Sequence, residues 1–595
     1  MNKKLHPEDV LAVLIFAAML LITFLNVLSR YIFHLGISFS EEVVTHFAVL
    51  LSGLGAAQAV RNESHYDIPL LNGVVAPKIS YAFKLVSAFL MMVFSIYMTY
   101  AGVAMVLQQH KLGKVTTMMR IPEWIWGLAI PVGCAFMSVY AVIVFIRTIK
   151  TREEFIAKKE KTGGGYEMIG FIVLFLFLGL VLIGAPIGTS MGIAGLVCLV
   201  LDGTSLSVVP YNYYSSLTSF VLLAIPYFIL GGAIMERAGI SSRLIRFAQS
   251  MVGHIRGGLA IVCVIVCCFF AAICGSGPAT VAALGMILVP AMIDVGHEEG
   301  SSAALMATAG SIGIIIPPSI VFIVYASITG VSTSDLFMAG IIPGLLMGGA
   351  LIAACLLTTD KKKLKVLPKA SGKERWAAFK DAFWGLLMPV IILGGIYGGI
   401  FTATEAAAVS AVYGLFVGVV IYKTMKLRDV VEVFSSACET SGQTMFTIGT
   451  AALFSYVLTV SGISGSVTNL LTTYTNGNKV IFLIIVNVVL LIAGCFIDGN
   501  CCQYIFTPIF YPVCMSLEYS PIALGVVMAM NTAVGMVTPP VGCNLNVVSG
   551  VTGIPFKRVV SGVVPYIIAG VIALLLVTYI PEIATFLPDA LNALK

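Results

Sequence analysis

Gly313-Ile-Ile-Ile-Pro-Pro-Ser319 and Gly535-Met-Val-Thr-Pro-Pro-Val541 stand 222 residues apart, each inside a long apolar run. Proline has no N–H and obstructs the preceding turn, so two in succession unwind a helix. The same offset joins Gly277 to Gly499, Pro290 to Pro512, Met306-Ala307 to Met528-Ala529, Ser327 to Ser549, Gly340 to Gly562 and Pro343 to Pro565. Scattered Ala or Leu coincide in any apolar sequence. A Pro-Pro pair with further Gly and Pro at one offset does not, so the chain carries an internal duplication. Each copy has a second interruption, Cys274-Gly-Ser-Gly-Pro-Ala-Thr280 and Asp498-Gly-Asn-Cys-Cys-Gln503. Both are small and polar with apolar flanks, which predicts two re-entrant hairpin tips.

The 595 residues are 59% hydrophobic and 10% charged, with mean hydropathy +1.02. Soluble chains hold about a quarter charged residues. Apolar runs of about 20 residues, enough to cross a bilayer, recur throughout. The chain therefore reads as an all-α polytopic membrane protein. A transmembrane β-barrel is excluded, because its strands alternate apolar and polar in segments of roughly ten residues. The net charge of +6 comes from Lys and Arg in short connecting loops. These are topology signals, and membrane lipid rather than nucleic acid is the expected surrounding partner. The 13 Cys fall mostly in apolar stretches, without zinc-ligand spacing. No small-residue cleavage site follows the apolar run Val10–Leu28, which predicts a retained first helix.

Apolar segments at about 9–32, 40–60, 80–107 and 124–147 predict a small four-helix membrane domain over residues 1–148. Ser40-Glu41-Glu42 resembles an N-cap with acids in the first turn, and Trp124 and Trp126 suit a membrane interface. Residues 149–167 form a basic, Gly-rich cytoplasmic linker. The first repeat covers 168–360, a second basic cytoplasmic link 361–378, and the second repeat 379–595. Arg237, Arg243, Arg246, His254 and Arg256 mark one connector of the first copy as cytoplasmic, whereas its counterpart, Ser464–Val480, holds only Lys479. The copies are thus inverted, the usual plan of a secondary transporter with a midplane site. One conflict follows. An inverted first copy should begin outside, yet the linker before it reads as cytoplasmic. Either a helix near 168–203 is unusual, or the parity of the small domain is reversed.

Irregular backbone at membrane depth is tolerated only where protein or a water-filled cavity satisfies it. Freed carbonyls then coordinate Na⁺, while helix N-termini offer N–H groups to a carboxylate. Two breaks per copy give two similar cation sites, each between a hairpin tip and an unwound helix. Asp498 is the sharpest single residue, since an ionisable group at that depth is costly. Ser276, Thr280, Ser319, Asn531, Thr538, Asn544 and Asn546 supply neutral polar groups around the same breaks. Glu405 belongs at a helix start capped by Thr402 or Thr404, and Glu41, Glu42, Arg61, His65 and Asp67 read as structural or partner contacts. No Walker A sequence, HExxH or nucleophile elbow occurs, so neither an ATP-driven pump nor an enzyme is expected.

At these residues the chain resembles the TRAP, or tripartite ATP-independent periplasmic, transporters. Residues 1–148, with Ser-Arg-Tyr-Ile-Phe and Ser-Glu-Glu, are similar to the small membrane subunit of that family. Residues 168–595 are similar to the large one through Gly-Ser-Gly-Pro-Ala-Thr-Val-Ala-Ala-Leu-Gly (275–285), Ile-Pro-Pro-Ser (316–319), Phe-Met-Ala-Gly-Ile-Ile-Pro-Gly (337–344) and Thr-Pro-Pro-Val-Gly-Cys-Asn-Leu-Asn (538–546). The resemblance implies Na⁺-coupled import of an organic acid, a sialic acid or a C4-dicarboxylate, across the bacterial inner membrane. It further implies delivery by a periplasmic substrate-binding protein, no ATP, and an elevator motion. Carried over by position, one Na⁺ site uses Cys274, Ser276, Gly313, Ile316 and Pro318; the other uses Asp498, Gly499, Cys502, Gly535, Thr538 and Pro540. Ser276, Thr280, Ser319, Asn544 and Asn546 take the substrate, with Ser276 and Ser319 on its carboxylate. Asn500-Cys501-Cys502-Gln503 departs from the family pattern, and the additional crossing helix of many fused sialic-acid members is missing. The rival readings are a binding-protein-independent Na⁺/carboxylate carrier, a lipid enzyme and a channel.

Overall fold

Apolar runs punctuated by Pro, Gly and Ser/Thr caps become helices. In a computed structural model, residues 6–64, 77–150, 176–177, 179–181, 184–201, 205–359, 364–460 and 463–593 are described. Among them no β-strand occurs, and eleven helices are long and apolar enough to cross a membrane.

The small domain contains α1 (Pro7–Ile32), α2 (Ser40–Arg61), α3 (Pro77–Leu112) and α4 (Ala129–Lys150), with a single helical turn, Glu123–Gly127, before the last. Pro7 opens α1, where its missing N–H is harmless, and the Asp9 carboxylate accepts the His6 N–H at 2.9 Å. Phe39, not Ser40, is the N-cap of α2. The Ser40 hydroxyl turns back to the Ile37 carbonyl at 2.7 Å and leaves the helix uncapped. Glu42 instead ties down another loop, accepting from Thr116 Oγ1 at 2.6 Å and the Met118 N–H at 2.9 Å. Arg61, at the other end of α2, pairs with the buried Glu8 and, at 2.7 Å, the buried Asp9. His65, Asp67 and residues 151–175 lie outside the described residues, and with them the linker and the question of an extra crossing. The boundary at 148 falls inside α4.

The chain packs as two compact units, residues 1–226 with 434–465, and residues 227–433 with 466–595. In the first unit, glycines let helices touch backbone to backbone. A Cβ on Gly53 would lie 2.6 Å from Gly133 Cα, and one on Gly55 would lie 2.6 Å from Gly442 Cα. The small domain is thereby locked to residues 434–460. The unit also contains α5 (Ile187–Leu201) and α6 (Val208–Leu217), and Tyr213 of α6 shares a 3.0 Å hydroxyl–hydroxyl bond with Ser52 of α2.

The repeat is visible element by element. After α7 (Ala224–Arg237) come α8 (Ile240–Val252), the hairpin α9 (Gly258–Cys274) and α10 (Gly277–Asp294), the broken pair α11 (Glu299–Ser311) and α12 (Ile320–Thr329), and α13 (Thr333–Thr358). Then α14 (Gly372–Tyr397), α15 (Ala403–Phe416) and α16 (Leu427–Val460) begin the second copy. It continues with α17 (Ile463–Thr475), the hairpin α18 (Lys479–Gly494) and α19 (Gly499–Ser516), the broken pair α20 (Pro521–Gly535) and α21 (Cys543–Thr552), α22 (Phe556–Tyr579) and a terminal α23 (Glu582–Asn592). The copies differ most before the first hairpin. Residues 208–237 are two helices around a short 3₁₀ turn at Phe220–Leu223, where the second copy has one unbroken helix of 34 residues. The second link is shorter than 361–378, since α14 starts at Gly372 under a capping box of Ser371 and Glu374. Thr402 caps α15, and Glu405 returns the bond to the Thr402 N–H at 2.9 Å.

Candidate functional site

The first hairpin turns in two residues. Gly275 ends α9 with φ +63°, a conformation suited to glycine, and Ser276 is extended as the N-cap of α10. Its carbonyl accepts Thr280 Oγ1 at 2.8 Å, and the Cys274 thiol lies 3.3 Å from that hydroxyl. The Ser276 hydroxyl caps nothing. The tip rests on the first Pro-Pro break. The Gly275 carbonyl accepts the Ile320 N–H at 3.4 Å, and a Cβ on Gly313 would lie 2.9 Å from Ser276 O and 3.0 Å from Thr280 Oγ1. Cys274, Ser276, Thr280, Gly313 and Pro318 thus gather at one point. Ile316 sends its side chain toward Gly344 of α13, so only its backbone is available to the site.

Proline chemistry decides which carbonyls are free. Pro317 and Pro318 cannot donate to Gly313 O and Ile314 O, their partners in a regular helix. The Ser319 hydroxyl replaces one donor, reaching Ile314 O at 2.6 Å while capping α12. Gly313 O receives no main-chain donor among the described residues. Ser319 is therefore fully buried and already committed, whereas Ser276 is partly exposed and uncommitted.

The second break is built differently. Gly535 O accepts the Thr538 N–H at 2.9 Å, and Met536 O accepts the Asn544 N–H at 3.0 Å, so this break mends its own backbone. Gly535 packs on Gly494, one turn before the hairpin tip, with a Cβ–Cα approach of 2.6 Å. In the first copy the matching residue of the break, Gly313, meets the tip itself. The two copies thus join hairpin to break differently: Gly494, where the first copy has Ala272, lets the second hairpin slide past its break. Asp498 caps α19 and accepts the Asn500 N–H at 3.1 Å. The Gly542 N–H donates to Cys495 O at 3.4 Å, which brings the turn of the second hairpin to the start of α21. Gly499 packs on Val321 and Thr532. No hydrogen bond among the described residues joins Asp498 or Cys502 to Gly535, Thr538 or Pro540, and the Thr538 hydroxyl is spent on Val534 O at 2.7 Å. Both Pro-Pro bonds are cis.

Asn544 crosses between the copies. It is fully buried, donates to Ala307 O of α11 at 3.1 Å, and its Nδ2 would lie 3.3 Å from a Cβ on Gly277. Its Oδ1 has no hydrogen-bond partner among the described residues. Asn546, two residues on, is exposed and bonded to Val541 O at 2.8 Å. Two further buried amides had no role assigned from sequence. Asn487 of α18 accepts from Asn531 at 2.8 Å, and Gln503 of α19 has an unpartnered Nε2. The signal for Asn487 was present, one amide in the apolar run Val480–Ile492.

Between Gly258 and Thr359, and again between Val480 and Phe556, there is no Lys or Arg. The N-termini of α10, α12, α19 and α21 bring their positive dipole ends to the breaks. Two family models cover the chain that carries this arrangement. The DctQ component of the tripartite ATP-independent periplasmic transporters matches residues 19–151, and the DctM component matches 174–583. The chain belongs to the TRAP transporter permease family.

The permease is 43% identical over 404 residues to the C4-dicarboxylate TRAP transporter large permease protein DctM of Pseudomonas aeruginosa, covering 68% of this chain and 94% of that one. It is 30% identical over 617 residues to the sialic acid TRAP transporter permease protein SiaT of Haemophilus influenzae, covering 98% of each. Among solved structures, the YdaH transporter of Alcanivorax borkumensis is similar at TM-score 0.45 and 14% identity, over 60% of this chain and 84% of that one. That likeness is too distant to carry residues across. TRAP permeases import substrate together with a periplasmic binding protein, and this one is a multi-pass protein of the bacterial inner membrane.

Proposed function

We propose that the permease is a Na⁺ symporter that imports a C4-dicarboxylate handed over by its periplasmic binding protein. One observation carries the reading. Four helix N-termini and a Gly313 carbonyl without a main-chain donor among the described residues lie at the two hairpin tips and breaks, in stretches of chain that hold no Lys or Arg. An acid placed there, with Asp498 nearby, needs mobile cations to balance its charge. Na⁺ would sit on the Gly313 and Ser276 carbonyls with Thr280 Oγ1 in the first copy, and beside Asp498 in the second. The uncommitted Ser276 hydroxyl and the α10 N-terminus would meet one carboxylate. Asn544, Asn546 and Gln503 would meet the remainder of the acid. The tips and broken helices would travel together in an elevator motion.

The choice of acid follows the 43% identity to a C4-dicarboxylate permease. The fused layout shared with the sialic acid permease, over 98% of both chains, favours sialic acid as the second reading. Uptake of labelled malate and of N-acetylneuraminate into proteoliposomes, with and without an inward Na⁺ gradient and periplasmic extract, tests both. Malate uptake that needs Na⁺ and extract is the expected result. Uptake indifferent to extract would make the permease a binding-protein-independent carrier, and uptake indifferent to Na⁺ would remove the symport.

A further inference from the structure

The start of α14 carries a charge that the protein leaves unanswered. Residues 364–380 contain five Lys or Arg and one acid, Glu374. The Glu374 carboxylate is spent on the helix cap, accepting the Ser371 N–H at 2.6 Å. The next acid along the helix, Asp381, is held by Arg243 at 3.0 Å and Arg246 at 2.9 Å, both from α8, which packs against α14. Arg375 lies between these two committed acids. Its Nε and Nη2 are shielded from water and have no hydrogen-bond partner among the described residues. A guanidinium offers five donors in a rigid fork and keeps its charge, so shielded donors without an acceptor are unfavourable.

The surroundings of Arg375 indicate what the acceptor is. Trp376 is 58% exposed and stacks on Phe379, with centroids 5.4 Å apart and planes at 22°. Phe379 in turn packs against Phe247 of α8, and Lys380 Nζ stands 5.6 Å above the Trp376 ring. An exposed Trp among Lys and Arg, at the polar end of an apolar span, marks the headgroup level of a bilayer. The excess of Lys and Arg places that end at the cytoplasmic leaflet, where anionic lipids attract basic segments. We propose that Arg375, flanked by Trp376 and Lys380, binds the phosphate of an anionic phospholipid of the cytoplasmic leaflet. The guanidinium donates to the phosphate oxygens, Lys380 adds a second cation, and the indole lies along the upper acyl chain. The site stands apart from the hairpins and does not depend on which acid is transported.

The test uses the full chain with Trp124, Trp126 and Trp384 replaced by Phe, leaving Trp376 as the one fluorophore of the four tryptophans. The protein is reconstituted in phosphatidylcholine containing rising fractions of phosphatidylglycerol whose chains are brominated near the headgroup. Brominated phosphatidylcholine is the reference. The expected result is half-maximal quenching by the glycerol lipid at about fivefold lower mole fraction, the equivalent of about 1 kcal/mol for one cation at an anionic surface. R375Q should abolish the preference. K380Q, at an exposed position that cannot disturb folding, should reduce it. Equal quenching by both lipids, or a preference that survives R375Q and K380Q, would overturn the site. Relief of quenching by inorganic phosphate would assign the fork to free phosphate and overturn the lipid.

Discussion

Gly313 has a hydrogen where any other residue would place a carbon 2.9 Å from Ser276 O. Gly313→Ala should therefore push the first hairpin off its break. Overpacking of this kind costs about 1–3 kcal/mol, so the Na⁺ concentration for half-maximal uptake should rise at least about fivefold. Ser276→Ala should lower uptake with little effect on assembly, because that hydroxyl supports no helix. Ser319→Ala should instead lower the melting temperature, since it strips the donor from Ile314 O and the cap from α12. Comparing uptake per folded molecule for the two variants separates a ligand contact from a scaffold contact. If Ser319→Ala melts normally and Ser276→Ala transports normally, both assignments fail. Asp498→Asn keeps an acceptor for the Asn500 N–H and removes only the charge. Its expected effect is weaker Na⁺ dependence at unchanged melting, and intact coupling would take Asp498 out of the cation site. These distinctions were only partly legible in the sequence. The Pro-Pro pairs announced freed carbonyls, but which hydroxyl would recapture one depends on a turn five residues long, and Ser276 and Ser319 look alike on paper.

Elements were easier to read than contacts. The 222-residue offset places α10 at Gly277 and α19 at Gly499, and the structure starts both helices there. Local chemistry sufficed for this, because proline and glycine act on their own turn. The bond from Asn544 to Ala307 was out of reach, since it joins residues 237 apart in the chain and has no counterpart at the repeat offset, where Phe322 stands in place of Asn544. The slide of the second hairpin was hidden for the same reason: it depends on Gly494 meeting Gly535, a tertiary choice. Between α10 and α11, outside the spans, His297 is 5% exposed, its Nε2 has no hydrogen-bond partner among the described residues, and burial holds it below its ordinary value near 6.5. The folded chain keeps this ring neutral, so the unfolded chain takes the proton first as pH falls. The stability tied to His297 is therefore complete above about pH 6.5 and declines below it, by up to about 1.4 kcal/mol per pH unit. Melting followed from pH 7 to pH 5 should show this slope, and His297→Gln should flatten it. Parallel curves for the two proteins would assign the slope to other groups.

At the scale of the molecule, the small domain is part of a folding unit that includes residues from the second repeat. The crossing of Gly55 and Gly442 leaves no room for a side chain, and Arg61 holds two buried carboxylates at one end of α2. Gly442→Leu should thus destabilise the permease as a whole. Arg61→Met should cost about 3 kcal/mol by stranding Glu8 and Asp9. Expression and melting of both variants check this: near-normal melting of Gly442→Leu would show the small domain to be a loosely attached neighbour, and near-normal melting of Arg61→Met would show that the ion pairs with Glu8 and Asp9 do not hold α1 to α2. The two breaks also differ in access. Every residue from Ser311 to Ile320 is buried, whereas Pro540 and Asn546 are exposed and Thr538 is half-buried. Two ions held there would not be interchangeable. If Na⁺ binds as proposed, the ion in the sealed pocket should board first and disembark last, behind its companion, like the inner passenger on a bench. Radioactive sodium preloaded into the protein would then wash out in two phases, with the slow one released only after the fast one has gone.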